Sequence, residues 1–414
     1  MNIKTKVTKS LLLTAVGLMG VAGCGPTQDG TKSDAAVKAA VDIPALKAAA
    51  MENIANSPCV AHVGNGCVVD MTIDSTMQRI VSETLCRAAD TNDTGVGWAI
   101  LVSVKEGAIL ALADCGGDAN APRPFALTRQ FTPGHLLSTL TVAAALDAGI
   151  VKPGTELSTD PLEAVFCEYK LPSDVGRSGE SKLTVSNALA CSANVVLAKL
   201  GILVGREKVH DVLYKFGIGG KSGIGFPGES AGRLLPPENW SKVHRVRIPI
   251  GQGVECTAMQ IARAYATLAN HGTLVEPYVV KQIADATGGT LYAHTASTNK
   301  VQVVSRGAAD NTCAILEGAA GATGRRAAVK GVRVAGKTSS MQRMKPNSLE
   351  FETDKYIASF AGFFPADDPK YVLVVCYETK RIAGTPYIHL GGGRPAMAFA
   401  EIACKISHFA ANSN

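Results

Sequence analysis

Two apolar runs near residue 100, WAILVSV (98–104) and AILALA (108–113), and three more at 331–338, 357–364 and 371–378 have the length and composition of strands. The long stretch between the two groups reads mainly as helices and loops, and this distribution constrains the fold more than any single motif. Lys105-Glu106-Gly107 joins the first two runs as a hairpin turn. Helices are expected at 74–90, from the Pro133-Gly134 turn onward, through 184–216 with an interruption near Cys191-Ser192, at 257–270 and at 395–411, with a Gly-rich loop at 217–232. Strands at both ends of a domain with helices in its middle imply an α+β fold. One antiparallel sheet carries the N- and C-terminal helices, and a helical subdomain adjoins it.

The chain of 414 residues is long enough to bury a sizeable core, and with 46% apolar against 18% charged residues it is expected to fold. Its first 23 residues differ in texture from the rest. Lys4, Lys6 and Lys9 precede an apolar run from Leu11 to Ala22, too short to span a bilayer, and Gly23-Cys24 follows. This is the plan of a secretory signal. The small residues in VAGC resemble a bacterial lipobox, which makes Cys24 the lipidated new N-terminus; the other reading is a plain signal peptide cut nearby. The expected division is a lipoprotein signal peptide at 1–23, a tether and short N-terminal segment at 24–67, and one domain at 68–412. Within the tether, GPTQDGTKSD is a flexible spacer, and residues 34–51 form a short helix broken by Pro44. Three of the net +6 charges are the leader lysines, so about +3 remains, which gives no argument for a nucleic-acid partner.

Export also frames the 11 cysteines. One is spent on lipid and the others can pair in an oxidising compartment. Cys59 and Cys67 bracket a turn-rich loop that a disulfide can close. Cys86, Cys191 and Cys404 lie on helix-like patterns where a buried free thiol is an equal reading. No Cys-x-x-Cys or His-x-x-x-His spacing appears, so neither a metal site nor a cofactor is expected.

Seven segments in one order, MTIDSTMQRIVSETL, WAILVSVKEGAILALAD, LTVSNALACSANVVLAKL, GQGVECTAMQIARAYATLANHGTLVEPYVV, VRVAGKTSSMQ, ASFAGFFPADDPKYVLVVCYE and HLGGGRPAMAFAEIACKI, carry a resemblance. Over roughly residues 68 to 410 the chain resembles the transpeptidase domain of class B penicillin-binding proteins. The resemblance implies a penicillin-binding transpeptidase-like fold and a cleft that handles peptidoglycan stem peptides ending in D-Ala-D-Ala. In that family a serine attacks the peptide carbonyl, or the amide of a β-lactam, and a lysine one helical turn away takes its proton. A Ser-x-Asn and a Lys-Thr-Gly complete the cleft, relaying protons, binding the substrate carboxylate and lining the oxyanion hole.

This sequence keeps two of those three motifs and loses the first. Ser192-Ala193-Asn194 matches the Ser-x-Asn, and Lys337-Thr338 opens the third motif, although Ser339 stands where its glycine belongs. Ser192, Asn194, Lys337, Thr338 and Ser340 are therefore the expected substrate-binding residues. After Pro133-Gly134 the nucleophile position holds His135 and the base position holds Ser138. The only Ser-x-x-Lys, Ser297 to Lys300, lies in a polar stretch out of order and reads as coincidence.

Other readings of the same residues stand beside these. His135 can be a polar residue at a helix N-terminus, Ser192 and Asn194 helix caps alone, and Lys337 a surface lysine, although the apolar VRVAG before it suggests a buried strand. Ser339 is expected to narrow the cleft. The resulting expectation is an extracytoplasmic, lipid-anchored pseudoenzyme with a binding or scaffolding role toward stem peptides or cell-wall synthesis and division proteins. The competing one is an active transpeptidase or carboxypeptidase in which Ser138 is the nucleophile and His135 its base.

Overall fold

The computed structural model describes residues 42–51, 59–89, 95–160, 179–344, 351–380 and 390–412. The expected leader, Cys24 and most of the tether lie outside the described residues. In chain order the elements are α1 (Ile43–Met51), β1 (Val60–Val63), β2 (Cys67–Met71), α2 (Ser75–Ala88), β3 (Gly97–Ser103), β4 (Ile109–Cys115), α3 (Phe125–Thr128) and α4 (His135–Asp147). Then come β5 (Glu156–Ser158), β6 (Lys182–Thr184), α5 (Val185–Cys191), α6 (Asn194–Val204), α7 (Arg206–Lys215), α8 (Lys242–Arg247) and α9 (Ala258–Ala269). The rest are β7 (Val280–Ala284), β8 (Thr290–Ala293), α10 (Arg306–Gly321), β9 (Ala335–Met344), β10 (Phe351–Phe364), β11 (Tyr371–Lys380) and α11 (Arg394–Asn412).

The main sheet has five antiparallel strands in the order β4-β3-β11-β10-β9. Its central strands are buried on both faces, which is why they read as continuous apolar runs rather than alternating ones. Trp98, Ile100 and Val102 of β3 and Val372, Val374 and Cys376 of β11 face one core; Ala99, Leu101, Leu373, Val375 and Tyr377 face the other. The second face is covered by α2 and α11. Helix α2 begins where the Asp74 carboxylate accepts the Met77 amide at 2.8 Å, and presents Met77, Ile80, Val81 and Leu85 at helical spacing. Phe399 of α11 sits edge-on to Phe360 and Phe364. A side chain of this size, fully buried, contributes about 2–3 kcal/mol. The first face is covered by α9 and α3, with α4 and α10 against the edge strand β9. The α+β expectation, with terminal helices on the sheet and a helical subdomain beside it, is what the chain forms.

The chain departs from the expected pattern in several places. The strand placed at 331–338 is Ala335–Met344: Gly331 takes a positive φ of 78° in a Val329–Val332 turn, and pairing with β10 starts at Ala335↔Phe363. The strand runs on through polar residues because it is the sheet edge and faces a cleft. Of the segment expected to form a helix at 34–51, residues 43–51 form α1, with Pro44 in its first turn, where its missing N–H costs nothing, and the part before residue 42 lies outside the described residues. Helix α10 and the small sheet β1-β2-β7-β8 were not anticipated. Finally, the Cys59–Cys67 disulfide does not form. The β1–β2 hairpin pairs Val63 with Cys67 while the Cys59 carbonyl meets the Met71 amide, so the two cysteines sit four rungs apart, about 13 Å, beyond the ~7 Å a disulfide bridges. No disulfide joins any two of the nine described cysteines; Cys86 is exposed, and Cys191 and Cys404 are half-buried rather than buried.

Candidate functional site

Three elements meet at one cleft of about 600 Å³: the start of α4, the break between α5 and α6, and the edge strand β9. The start of α4 is set by two glycines. Gly134 caps the helix with φ 52°, and its amide donates to the Gly251 carbonyl at 3.0 Å. A Cβ on Gly134 would collide with Ser339 Oγ, and one on Gly251 with the Gly134 carbonyl, so only glycine allows this approach. His135 is the first helical residue and lines the cleft, half-buried. Its Nδ1 is 3.2 Å from Ser138 Oγ. Ser138 itself is 0% exposed, within a run from Leu136 to Ala145 that is entirely buried. The structure thus brings the two together but seals the serine beneath the histidine.

The second wall is an elbow. Thr184 caps α5 by accepting the Asn187 amide at 3.1 Å, and the helix ends at Cys191 because Ser192 turns left-handed, φ 62° and ψ 48°. A non-glycine residue there costs about 1–2 kcal/mol. Asn194 then opens α6 and, with Ser192, lines the cleft. Ser192 is thus a helix-terminal residue by position, yet its hydroxyl is committed elsewhere.

That partner is Lys337. On β9, opposite Ala361, this lysine is fully buried and its Nζ donates to Ser192 Oγ at 2.6 Å and to Thr323 Oγ1 at 3.3 Å. Thr338 Oγ1 donates to Thr323 Oγ1 at 3.2 Å, and Thr323 Oγ1 donates to the Ala190 carbonyl at 3.2 Å, so the hydroxyls tie β9 to the end of α5. Burial pushes the Lys337 amine down to about 7; the nearby Cys191 thiol acts in the opposite sense and does not offset it. A surface lysine is thereby excluded. An amine balanced near neutral pH and surrounded by hydroxyls can hold an anion or pass a proton.

Thr338 and Ser340 line the cleft, and Ser340 Oγ accepts the Gly391 amide at 2.8 Å. Ser339 does not narrow it. With the two-residue alternation of a strand it points away, its buried Oγ lies against Gly134 and, among the described residues, has no hydrogen-bond partner. Thr323 was missed by sequence reasoning: it follows an unanticipated helix and belongs to no motif. Ser297 and Lys300 lie in a separate recess with Glu106 and Glu276.

Residues 97–401 match the family model of the penicillin binding protein transpeptidase domain. The chain belongs to the penicillin-binding protein transpeptidase family. It is 30% identical over 360 residues to penicillin-binding protein PbpB of Mycolicibacterium smegmatis, covering 82% of this chain and 54% of that protein. It is 30% identical over 341 residues to peptidoglycan D,D-transpeptidase FtsI of Escherichia coli, covering 80% and 54%. The chain therefore spans about half the length of the curated relatives it matches. Among solved structures, penicillin-binding protein 3 of Mycobacterium tuberculosis complexed with aztreonam superposes with a TM-score of 0.74 at 26% identity, covering 83% of this chain and 79% of that one. The apo transpeptidase domain of Burkholderia pseudomallei penicillin-binding protein 3 gives 0.69 at 27% identity, covering 83% and 96%. Among the described residues of this transpeptidase-family chain, no helix is long and apolar enough to cross a membrane.

Proposed function

We propose that this protein is a lipid-anchored, extracytoplasmic member of the family that does not acylate, and that it serves cell-wall synthesis or division through binding. One observation carries the reading: His135 occupies the helix start where the family places its nucleophile, and Ser138 beneath it exposes no surface. Binding does not need a nucleophile. Ser192, Thr338 and Ser340, which line the cleft with Asn194 beside them, are the residues we assign to an anionic stem-peptide terminus, and the buried Lys337 behind Ser192 supplies the positive charge that favours it. The other form of the same role is a scaffold for cell-wall synthesis or division proteins, the cleft being vestigial. The lipid anchor rests on VAGC at residues 21–24, and release of a Cys24→Ala variant from membranes is its check.

The active alternative is favoured by the 3.2 Å contact of His135 with Ser138, a competent base beside a hydroxyl. It requires a buried oxygen to reach a substrate carbonyl, and errors near 1 Å already cost rate heavily. Intact-protein mass after incubation with a reactive β-lactam, with peptide mapping of any adduct, separates the two. No mass increase in folded protein is expected. An adduct on Ser138 would establish an enzyme and end the proposal. Titration with muropeptides then divides the binding role: saturable binding lost in Lys337→Ala supports the stem-peptide site, and no binding at millimolar ligand leaves the scaffold.

A further inference from the structure

On the face of the sheet away from the cleft, two cysteines stand together that nothing in the cleft uses. Cys115 ends β4, buried in the core beneath α2, and Cys86 lies near the end of α2, exposed. Cys115 Sγ donates to the carbonyl oxygen of Leu85, the residue before Cys86, at 3.9 Å, so the two cysteines come together where the end of α2 packs on β4. The Tyr377 hydroxyl donates to the same Leu85 carbonyl at 2.9 Å, so the end of α2 is held against the sheet at this point. Gly97, paired with Cys115 across β3 and β4, contributes to the fit: a Cβ there would press on both Cys115 Sγ and the Tyr377 ring.

We propose that Cys86 and Cys115 are a disulfide-forming pair that ties α2 covalently to β4, formed by exchange with an external disulfide. The oxidant is a small-molecule or protein disulfide, RSSR. The Cys86 thiolate attacks one sulfur of RSSR, that S–S bond breaks, and the first RS⁻ leaves and takes up a proton. Cys115 gives its proton to solvent and attacks the Cys86 sulfur; the mixed disulfide breaks and the second RS⁻ leaves. Two protein thiols are oxidised, one external disulfide is reduced to two thiols, and the pair is joined.

The chemistry divides between the partners. The hydrogen bond from Cys115 lowers the Cys86 thiol to about 7, against burial and the Asp114 carboxylate, so an exposed thiolate is present at neutral pH. Cys115, donating that bond and buried, is pushed upward and attacks second. Cys256 and Cys376, the other neighbouring cysteines, are both sealed in the core with thiols pushed up by burial, and no reagent reaches them. The proposal is independent of what the cleft binds, and the export reading supplies a compartment that maintains such bonds.

The test uses the whole chain, reduced, freed of reductant and incubated with oxidised glutathione at neutral pH. Remaining thiols are then alkylated in denaturant and the protein is mapped without reduction. The expected product is a linked peptide pair containing Cys86 and Cys115, two hydrogens lighter than the sum, with alkylation of both lost and that of Cys256 and Cys376 unchanged. In Cys115→Ala, Cys86 is expected to stop at the glutathione adduct. Recovery of both cysteines alkylated, or of Cys86 as a lasting glutathione adduct in the wild-type protein, overturns the proposal.

Discussion

Lys337 is the residue whose environment has the most measurable consequence. Its folded-state amine is lowered to about 7 by burial, whereas in the unfolded chain it titrates near ~10.4. Below about pH 7 both states carry the proton and the whole desolvation penalty is present. Between about 7 and 10 the unfolded chain binds a proton that the folded one has lost, so this group makes stability rise with pH, by up to about 1.4 kcal/mol per unit. Urea unfolding of wild type and Lys337→Met at several pH values should show the wild-type curve climbing relative to the variant across that window; parallel curves would mean the amine titrates normally. Ligand binding has the opposite sign. An anion favours the ammonium form, so muropeptide affinity is expected to fall as pH rises through about 7, by up to about tenfold per unit, and a pH-independent affinity would remove Lys337 from the site.

At the scale of elements, the α5–α6 elbow decides how the second and third motifs meet. Ser192 pays for a left-handed backbone and places its hydroxyl 2.6 Å from Lys337 Nζ. Ser192→Gly and Ser192→Ala both delete the hydroxyl, so their difference reports the backbone alone. Glycine is expected to be more stable than alanine by about 1 kcal/mol in denaturant unfolding; equal stabilities would argue that the elbow relaxes. Elements with a signal of their own were legible. The interruption at Cys191-Ser192 and the helix at 257–270, observed as Ala258–Ala269 with a Thr257/Gln260 capping box, came from local chemistry. Helix α10 was not, because Gly307, Gly318 and Gly321 and its polar first half dilute the helical pattern. Strand β9 was cut short because an edge strand facing a cleft is polar where a central strand is apolar.

For the whole molecule, the sheet is assembled from the two ends of the domain: β3 pairs with β11, Trp98 opposite Cys376. The core behind it is continuous, holding Trp98 of the sheet and Trp240 of the helical part in one cluster. Single-tryptophan proteins, Trp98→Phe and Trp240→Phe, should each lose fluorescence at the same urea concentration as they lose far-UV circular dichroism; a separate transition in either would mean the helical subdomain unfolds alone. The sequence by itself determined the α+β architecture, the family resemblance and the presence of His135 and Ser138 after the Pro133-Gly134 turn, because these depend on composition and order along the chain. Only the tertiary structure decided that Ser138 is sealed from the cleft, that Lys337 is buried among Ser192, Thr323 and Thr338, and that Ser339 turns toward Gly134 instead of narrowing the site. Burial and hydrogen-bond partners are set by segments far apart in sequence, and a side chain's electrostatics follow from what surrounds it in space.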